Sequence, residues 1–207
     1  MSPLPSFRLV DGSARSALDV VVAGRAEVVA VTVRAPRDDA KEGGGSGSGP
    51  DEAAPRPRIF PSTRPLTAGL GVDLARRLGR AEARGREAEV TEIQVDLPDA
   101  DRASGVHTLL AVGLGPSAAS ARAWRRAGAA LARRTRGRGR VVVEVPRANP
   151  VAVRALVEGW GLAAYRFSRK SSTPTPPAKH VDLVVPQLAD GLDDALDRAL
   201  VTVEAVH

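Results

Sequence analysis

From His107 to Val206 the chain alternates short apolar runs with amphipathic stretches, and this rhythm narrows the choice of fold more than any other feature. "HTLLAVGLG", His107–Gly115, is a near-continuous apolar run ending in glycines, the pattern of a strand buried on both faces. From Ser117 to Arg134, Ala121, Trp124, Gly128 and Leu131 recur at helical steps, while Arg122, Arg125, Arg126 and Arg133 fall largely elsewhere on the surface. "RVVVEVP", Arg140–Pro146, is the next strand. Asn149 and Pro150 then supply an N-cap side chain and a proline at the first helical position. The helix they open carries Val153, Leu156, Val157, Trp160, Ala164 and Phe167 on one stripe. After a serine- and proline-rich loop, "HVDLVVP" gives a last strand, and Gly191–Val206 a helix with Leu192, Leu196, Ala199 and Val203 facing inward. Strand and helix in turn predict an α/β domain of three layers around a mixed central sheet.

One detail of the Asn149 helix resists this reading. Within "EGWGLAAYRF", Glu158–Phe167, Gly159 and Gly161 each cost about 0.8–1 kcal/mol relative to alanine in a helix interior. They imply either the close approach of another backbone or a break in the helix.

The first half is less regular. Ala17–Ala23 ("ALDVVVA"), Glu27–Arg34 and Glu89–Leu97 read as strands from their β-branched residues, and the first two suggest a hairpin across "GR". Leu70, Leu74 and Leu78 have helical spacing. Between these, Asp38–Arg58 is glycine, serine, proline and charge with nothing to bury, so residues 38–58 are expected to form a mobile loop or linker insertion, natural or engineered.

Composition removes several function classes. The chain has 207 residues, of which 43% are hydrophobic, and no run of eighteen apolar residues, and "MSPLPSFRLVDG" has neither a basic nor an apolar leader region. A cytoplasmic protein without membrane contact is expected. With no cysteine there is no disulfide framework and no thiolate nucleophile or ligand. The charge of +6 comes almost wholly from arginine. The cluster Arg133, Arg134, Arg136, Arg138 and Arg140 lacks interleaved aromatics for base stacking and lies where a helix C-terminus favours cations, so nucleic acid is not the expected partner.

Catalytic and metal signatures are weaker. His107, His180 and His207 are far apart and none has an i+4 partner. Asp190, Asp193, Asp194 and Asp197 suit the first turn of a helix rather than a metal loop. No G-x-S-x-G elbow is present. No catalytic residue and no metal ligand is therefore expected in this chain. "VGLGPSAAS" does satisfy the relaxed fingerprint G-x-G-x-x-A at Gly113, Gly115 and Ala118, between a strand and a helix. Gly113, Gly115 and Ser117 are thus candidate phosphate-binding residues, with Glu144 in a rough position for a ribose-binding carboxylate, although Pro116 removes one donor from the loop.

"LLAVGLGP", "AWRRAGAALAR", "VVVEVP" and "EGWGLAAYRFSRKS", in that order and spacing, resemble the N-terminal domain of the cytosol leucyl aminopeptidase family. The likeness runs over roughly Leu109–Leu200 and rests on Glu158, Gly159, Leu162, Tyr165 and Phe167 in particular. It implies a macro-domain-like α/β/α module over residues 1–190, with residues 191–207 forming a helix that leads toward a catalytic domain absent from this chain. In that family the second domain holds two divalent metals, zinc or manganese, and removes N-terminal residues from peptides. Full-length members are commonly hexamers. The resemblance therefore implies a non-catalytic domain with a role in assembly or active-site access, its partner being the catalytic domain of the same protein. A phosphate or nucleotide (ADP-ribose-like) binding module using Gly113–Ser117 is the alternative.

Overall fold

A computed structural model describes residues 4–12, 17–36, 56–96, 105–117, 120–165 and 175–206. The elements in chain order are β1 (Ser6–Asp11), α1 (Ala17–Gly24), β2 (Val28–Arg34), β3 (Arg58–Ile59), α2 (Thr63–Gly69), α3 (Leu74–Arg80), β4 (Val90–Gln94) and β5 (Thr108–Gly113). They continue with α4 (Ala121–Arg134), β6 (Arg140–Glu144), α5 (Pro150–Ala164), β7 (His180–Val185) and α6 (Leu192–Glu204). The sheet runs β1-β7-β6-β2-β5-β4, and β3 pairs on β2. All neighbours from β1 to β5 are parallel, whereas β4 on β5 and β3 on β2 are antiparallel. This is the mixed sheet that the alternating pattern predicts.

Because strand side chains alternate between faces, the sheet divides its apolar residues between two cores. Ala30, Leu110, Val143 and Leu183 pack under α4, α5 and α6 with Trp124 and Trp160. Val31, Leu109, Val142 and Val184 pack under α1, α2 and α3 with Leu66 and Leu78. Helices thus cover both faces, giving three layers.

The N-cap reading at Asn149 holds: its side chain accepts from the Ala152 N–H at 2.9 Å, and Pro150 begins the helix. Of the two explanations for the glycines, close approach is the one observed. A Cβ on Gly159 would run into the Arg125 carbonyl of α4, and one on Gly128 into the Leu156 carbonyl of α5. A Cβ on Gly161 would meet the side chain of Val203 in α6. Gly128 and Gly159 let α4 and α5 pack at backbone range, Gly161 lets the Val203 side chain of α6 seat against α5, and α5 continues unbroken to Ala164. Phe167 lies outside the described residues.

Several expectations for the first half need correction. Ala17–Ala23 is not a strand, and there is no hairpin across "GR"; the segment is α1, with Val20 and Val21 buried. The strand that precedes it is β1, which pairs in parallel with β7, and the crossover from β1 to β2 takes the form of a helix. Topology here overrides the β preference of three consecutive valines. Leu70 is the C-cap of α2 whereas Leu74 and Leu78 lie in α3; Gly71, with a φ of +65°, breaks the run, and Asp73 caps α3 by accepting from the Arg76 N–H at 3.0 Å. The expected loop at 38–58 ends early, since Arg58 and Ile59 pair with Arg34 and Val33; its residues 38–55 lie outside the described residues.

Candidate functional site

The glycine turn after β5 is occupied by the chain itself. Gly113 N–H donates to the Glu89 carbonyl at 2.8 Å, Leu114 N–H to the Val33 carbonyl at 2.9 Å, and Gly115 N–H to the Gly85 carbonyl at 2.9 Å. A Cβ on Gly113 would strike Arg86 and Gly85, and Gly115 holds φ +68° beside Glu87. The backbone approach that these glycines permit is made by residues 85–87. A phosphate at this turn has Ser117, which is exposed, and the start of α4, where the Ser120 side chain makes no cap hydrogen bond. Ala118 lies outside the described residues.

Most of the other charged candidates face partners within the chain. Arg140 reaches Asp182 at 2.7 Å, and Arg8 reaches the other oxygen of the same buried carboxylate at 3.1 Å. Arg136 donates to the Ala163 carbonyl at 3.1 Å, and Arg134 lies 3.9 Å from Glu92. His180 Nδ1 is 2.7 Å from the Ser6 hydroxyl and His107 Nδ1 is 2.8 Å from Thr108 Oγ1; His207 lies outside the described residues. Asp193 and Asp194 occupy the first turn of α6. Among the described residues no group of three or more His, Cys, Asp or Glu side chains could hold a metal ion.

Two buried glutamates differ sharply in their surroundings. Glu158 on α5 accepts from Arg125 at 2.8 Å and from Arg154 at 2.7 Å, one arginine on each carboxylate oxygen. Burial alone would raise its pKa, but the hydrogen bonds and charges of the two arginines bring it below the ordinary value. Glu144, the last residue of β6, is 4% exposed, and its Oε2 has no hydrogen-bond partner. Burial pushes this carboxyl above the ordinary range, an effect that the neighbouring Thr63 and Ser62 hydroxyls partly offset.

Glu144 borders a cavity of about 390 Å³ at the C-terminal ends of β1, β6 and β7. The chain leaves β1 for α1 on one face and leaves β7 for α6 on the other, so the connections diverge between two paired strands. Such a divergence opens a crevice at the strand ends, the usual ligand position in open α/β sheets. Gly12, Val185 and Pro186 form its floor side, and Leu18, Ser62 and Leu66 bring in α1 and the start of α2. The sequence singled out Glu144 but not this setting. Leu18 comes into view only once residues 17–24 are a helix, and Ser62 only once α2 is placed over β6.

A family model described as the N-terminal domain of the cytosol aminopeptidase family matches residues 66–174. No curated protein matches the sequence. Among solved structures, a leucine aminopeptidase variant from tomato superposes with a TM-score of 0.67 at 14% identity, covering 100% of this chain and 37% of that one. The bottromycin maturation enzyme BotP in complex with Mn superposes with a TM-score of 0.50 at 22% identity, covering 87% of this chain and 30% of that one. At these identities the structural likenesses speak to the fold. The chain spans little more than a third of the tomato enzyme's length.

Proposed function

The chain belongs to the cytosol aminopeptidase family through its N-terminal domain, and from that premise we propose that it is a non-catalytic domain that assists assembly or shapes access to an active site carried by a separate catalytic domain. Residues 1–190 form the domain body in this reading, and α6 leads on toward the catalytic domain. The catalytic domain of the same protein is its partner, and the two divalent metals of the full-length family, zinc or manganese, belong to that partner. A homo-oligomer, hexameric as the family resemblance implies, is the corresponding assembly, and the cytoplasm the corresponding compartment. Among the described residues no helix is long and apolar enough to cross a membrane.

The observation that carries this reading is the combination of the family match over residues 66–174 with carboxylates engaged in internal ion pairs. Asp182 and Glu158 each bind two arginines, one on each carboxylate oxygen, so their charge is already paired within the domain, which suits a scaffold. The test is hydrolysis of leucine p-nitroanilide by the 207-residue chain with added zinc or manganese. No turnover is expected, and turnover that follows the purified chain would overturn the proposal.

The phosphate alternative at Gly113–Ser117 draws support from exposed Ser117 beside the start of α4. Against it, three N–H groups of the turn already serve the protein backbone. Calorimetry with ADP-ribose distinguishes the two: saturable heat that is lost in Ser117→Ala favours the alternative.

A further inference from the structure

We propose that the cavity at the ends of β1, β6 and β7 binds small aliphatic primary amines, with Glu144 as the partner of the ammonium group. This inference is independent of the accessory role, because it concerns a pocket contained wholly within this domain.

Size and lining define the body of the ligand. About 390 Å³ falls within the roughly 300–1,000 Å³ of small-molecule sites, at the lower end, where a short-chain compound fits. Leu18, Pro65, Leu66, Val184 and Pro186 present aliphatic surface, and none of the described lining residues carries an aromatic ring on which a base could stack. The body that this wall accepts is a branched or linear alkyl chain.

Charge defines the head group. Glu144 is the titratable side chain lining the cavity, and no lysine, arginine or histidine lines it among the described residues. An anionic ligand would meet the Glu144 carboxyl, and none of the described lining residues offers it a compensating cation. The protein also leaves this acid short of partners. Its Oε2 is buried without a hydrogen bond, and among the described residues only the Ser62 and Thr63 hydroxyls face the carboxyl. A buried unpaired polar group costs about 1–3 kcal/mol, more when charged, and native proteins seldom carry one without a reason. Glu158 shows how this same domain treats a buried acid meant for structure: it gives it two arginines.

An ammonium group supplies what is missing. It brings a positive charge and three N–H donors, enough for the Glu144 carboxylate and for the Ser62 hydroxyl that also lines the cavity. Charge-assisted bonds of this kind are roughly twice as strong as neutral ones, which favours an amine over an alcohol of the same shape. Free alkyl amines and the N-terminal residue of a peptide share this chemistry.

The experiment is isothermal titration of the 207-residue chain with isoamylamine and with leucinamide, using isovalerate and inorganic phosphate at matched ionic strength as controls. Saturable binding of isoamylamine is expected, and neither anion should bind. If leucinamide also binds, the cavity accepts the N-terminal residue of a peptide; if isoamylamine alone binds, it is a site for simple amines. Either result supports the proposal. Glu144→Gln should weaken amine binding by about tenfold or more, the loss expected for one charged hydrogen bond. Ala17→Phe, which fills the cavity and leaves Glu144 in place, should abolish binding while circular dichroism stays unchanged, and it decides the matter if Glu144→Gln does not fold. No saturable heat with either amine, equal binding of isovalerate, or undiminished affinity in a folded Glu144→Gln would each overturn the assignment.

Discussion

On the α4–α6 face of the sheet, helices meet backbone to backbone through Gly128 and Gly159, and the buried acid Glu158 is held by two arginines. On the α1–α3 face, short helices leave a cavity, and the buried acid Glu144 faces it with one oxygen unpartnered. The same sheet thus carries one layer in which α4 and α5 close over an ion-paired acid and one layer in which a cavity lies beside an acid with an unpartnered oxygen. The contrast teaches that one domain settles its buried acids in two ways, by ion pairs where helices meet backbone to backbone and without them where short helices leave space.

The largest effect that would break this comparison is at Gly159. Gly159→Ala places a methyl group against the Arg125 carbonyl, and backbone cannot yield as a side chain does, so a loss of about 3 kcal/mol is expected in denaturant unfolding. On the opposite face, a Cβ at Gly69 meets the end of the Leu18 side chain, which borders the cavity and can turn into it. Gly69→Ala should therefore cost less than about 1 kcal/mol. Equal losses at the two positions would erase the distinction between the layers.

Substitution of the two acids gives smaller effects. Glu158→Gln removes charged hydrogen bonds to arginines that are about half exposed, so solvent screening limits the loss to about 1 kcal/mol at neutral pH. Glu144→Gln replaces a buried carboxyl that has one unpartnered oxygen and no ion pair among the described residues by a neutral group of the same shape, and unfolding should show no loss, or a gain of up to about 0.5 kcal/mol. A clear loss at Glu144 would mean that the acid is held by the protein after all.

How much of this was legible in the sequence follows the same division. The closed layer could be read because its helices are long, capped and periodic: Asn149 and Pro150 marked where α5 begins, and Leu192, Leu196, Ala199 and Val203 marked the buried side of α6. Even its glycines signalled close contact, although only the fold shows that Arg125 and Val203 are what they approach. The open layer could not be read in the same way. Residues 17–24 carry three consecutive valines that favour a strand locally, and only the parallel pairing of β1 with β7 makes them a helix. Since the cavity lies between that helix, α2 and the strand ends, its outline was hidden with it. Glu144 was visible as an acid at a strand end, but its setting is made by residues far away in sequence, with Leu66 beside it in the cavity wall and the Ser62 and Thr63 hydroxyls facing it. The glycine turn at Gly113 and Gly115 shows the reverse risk, because a pattern suited to phosphate is spent on contacts with residues 85–89.

The pH dependence of unfolding tests the contrast most directly, measured for the wild type, Glu158→Gln and Glu144→Gln. The Glu158 pKa is lowered on folding, against its burial, by Arg125 and Arg154, so its contribution is present above the ordinary carboxylate value and is lost as pH falls through the folded value. The Glu144 pKa is raised by burial, with the Ser62 and Thr63 hydroxyls facing it, so its contribution is present below the ordinary value and is lost as pH rises through the folded value. On acidification from neutral pH, the stability of the wild type relative to Glu158→Gln should therefore fall, while its stability relative to Glu144→Gln should rise. Two differences that move in the same direction would contradict the account.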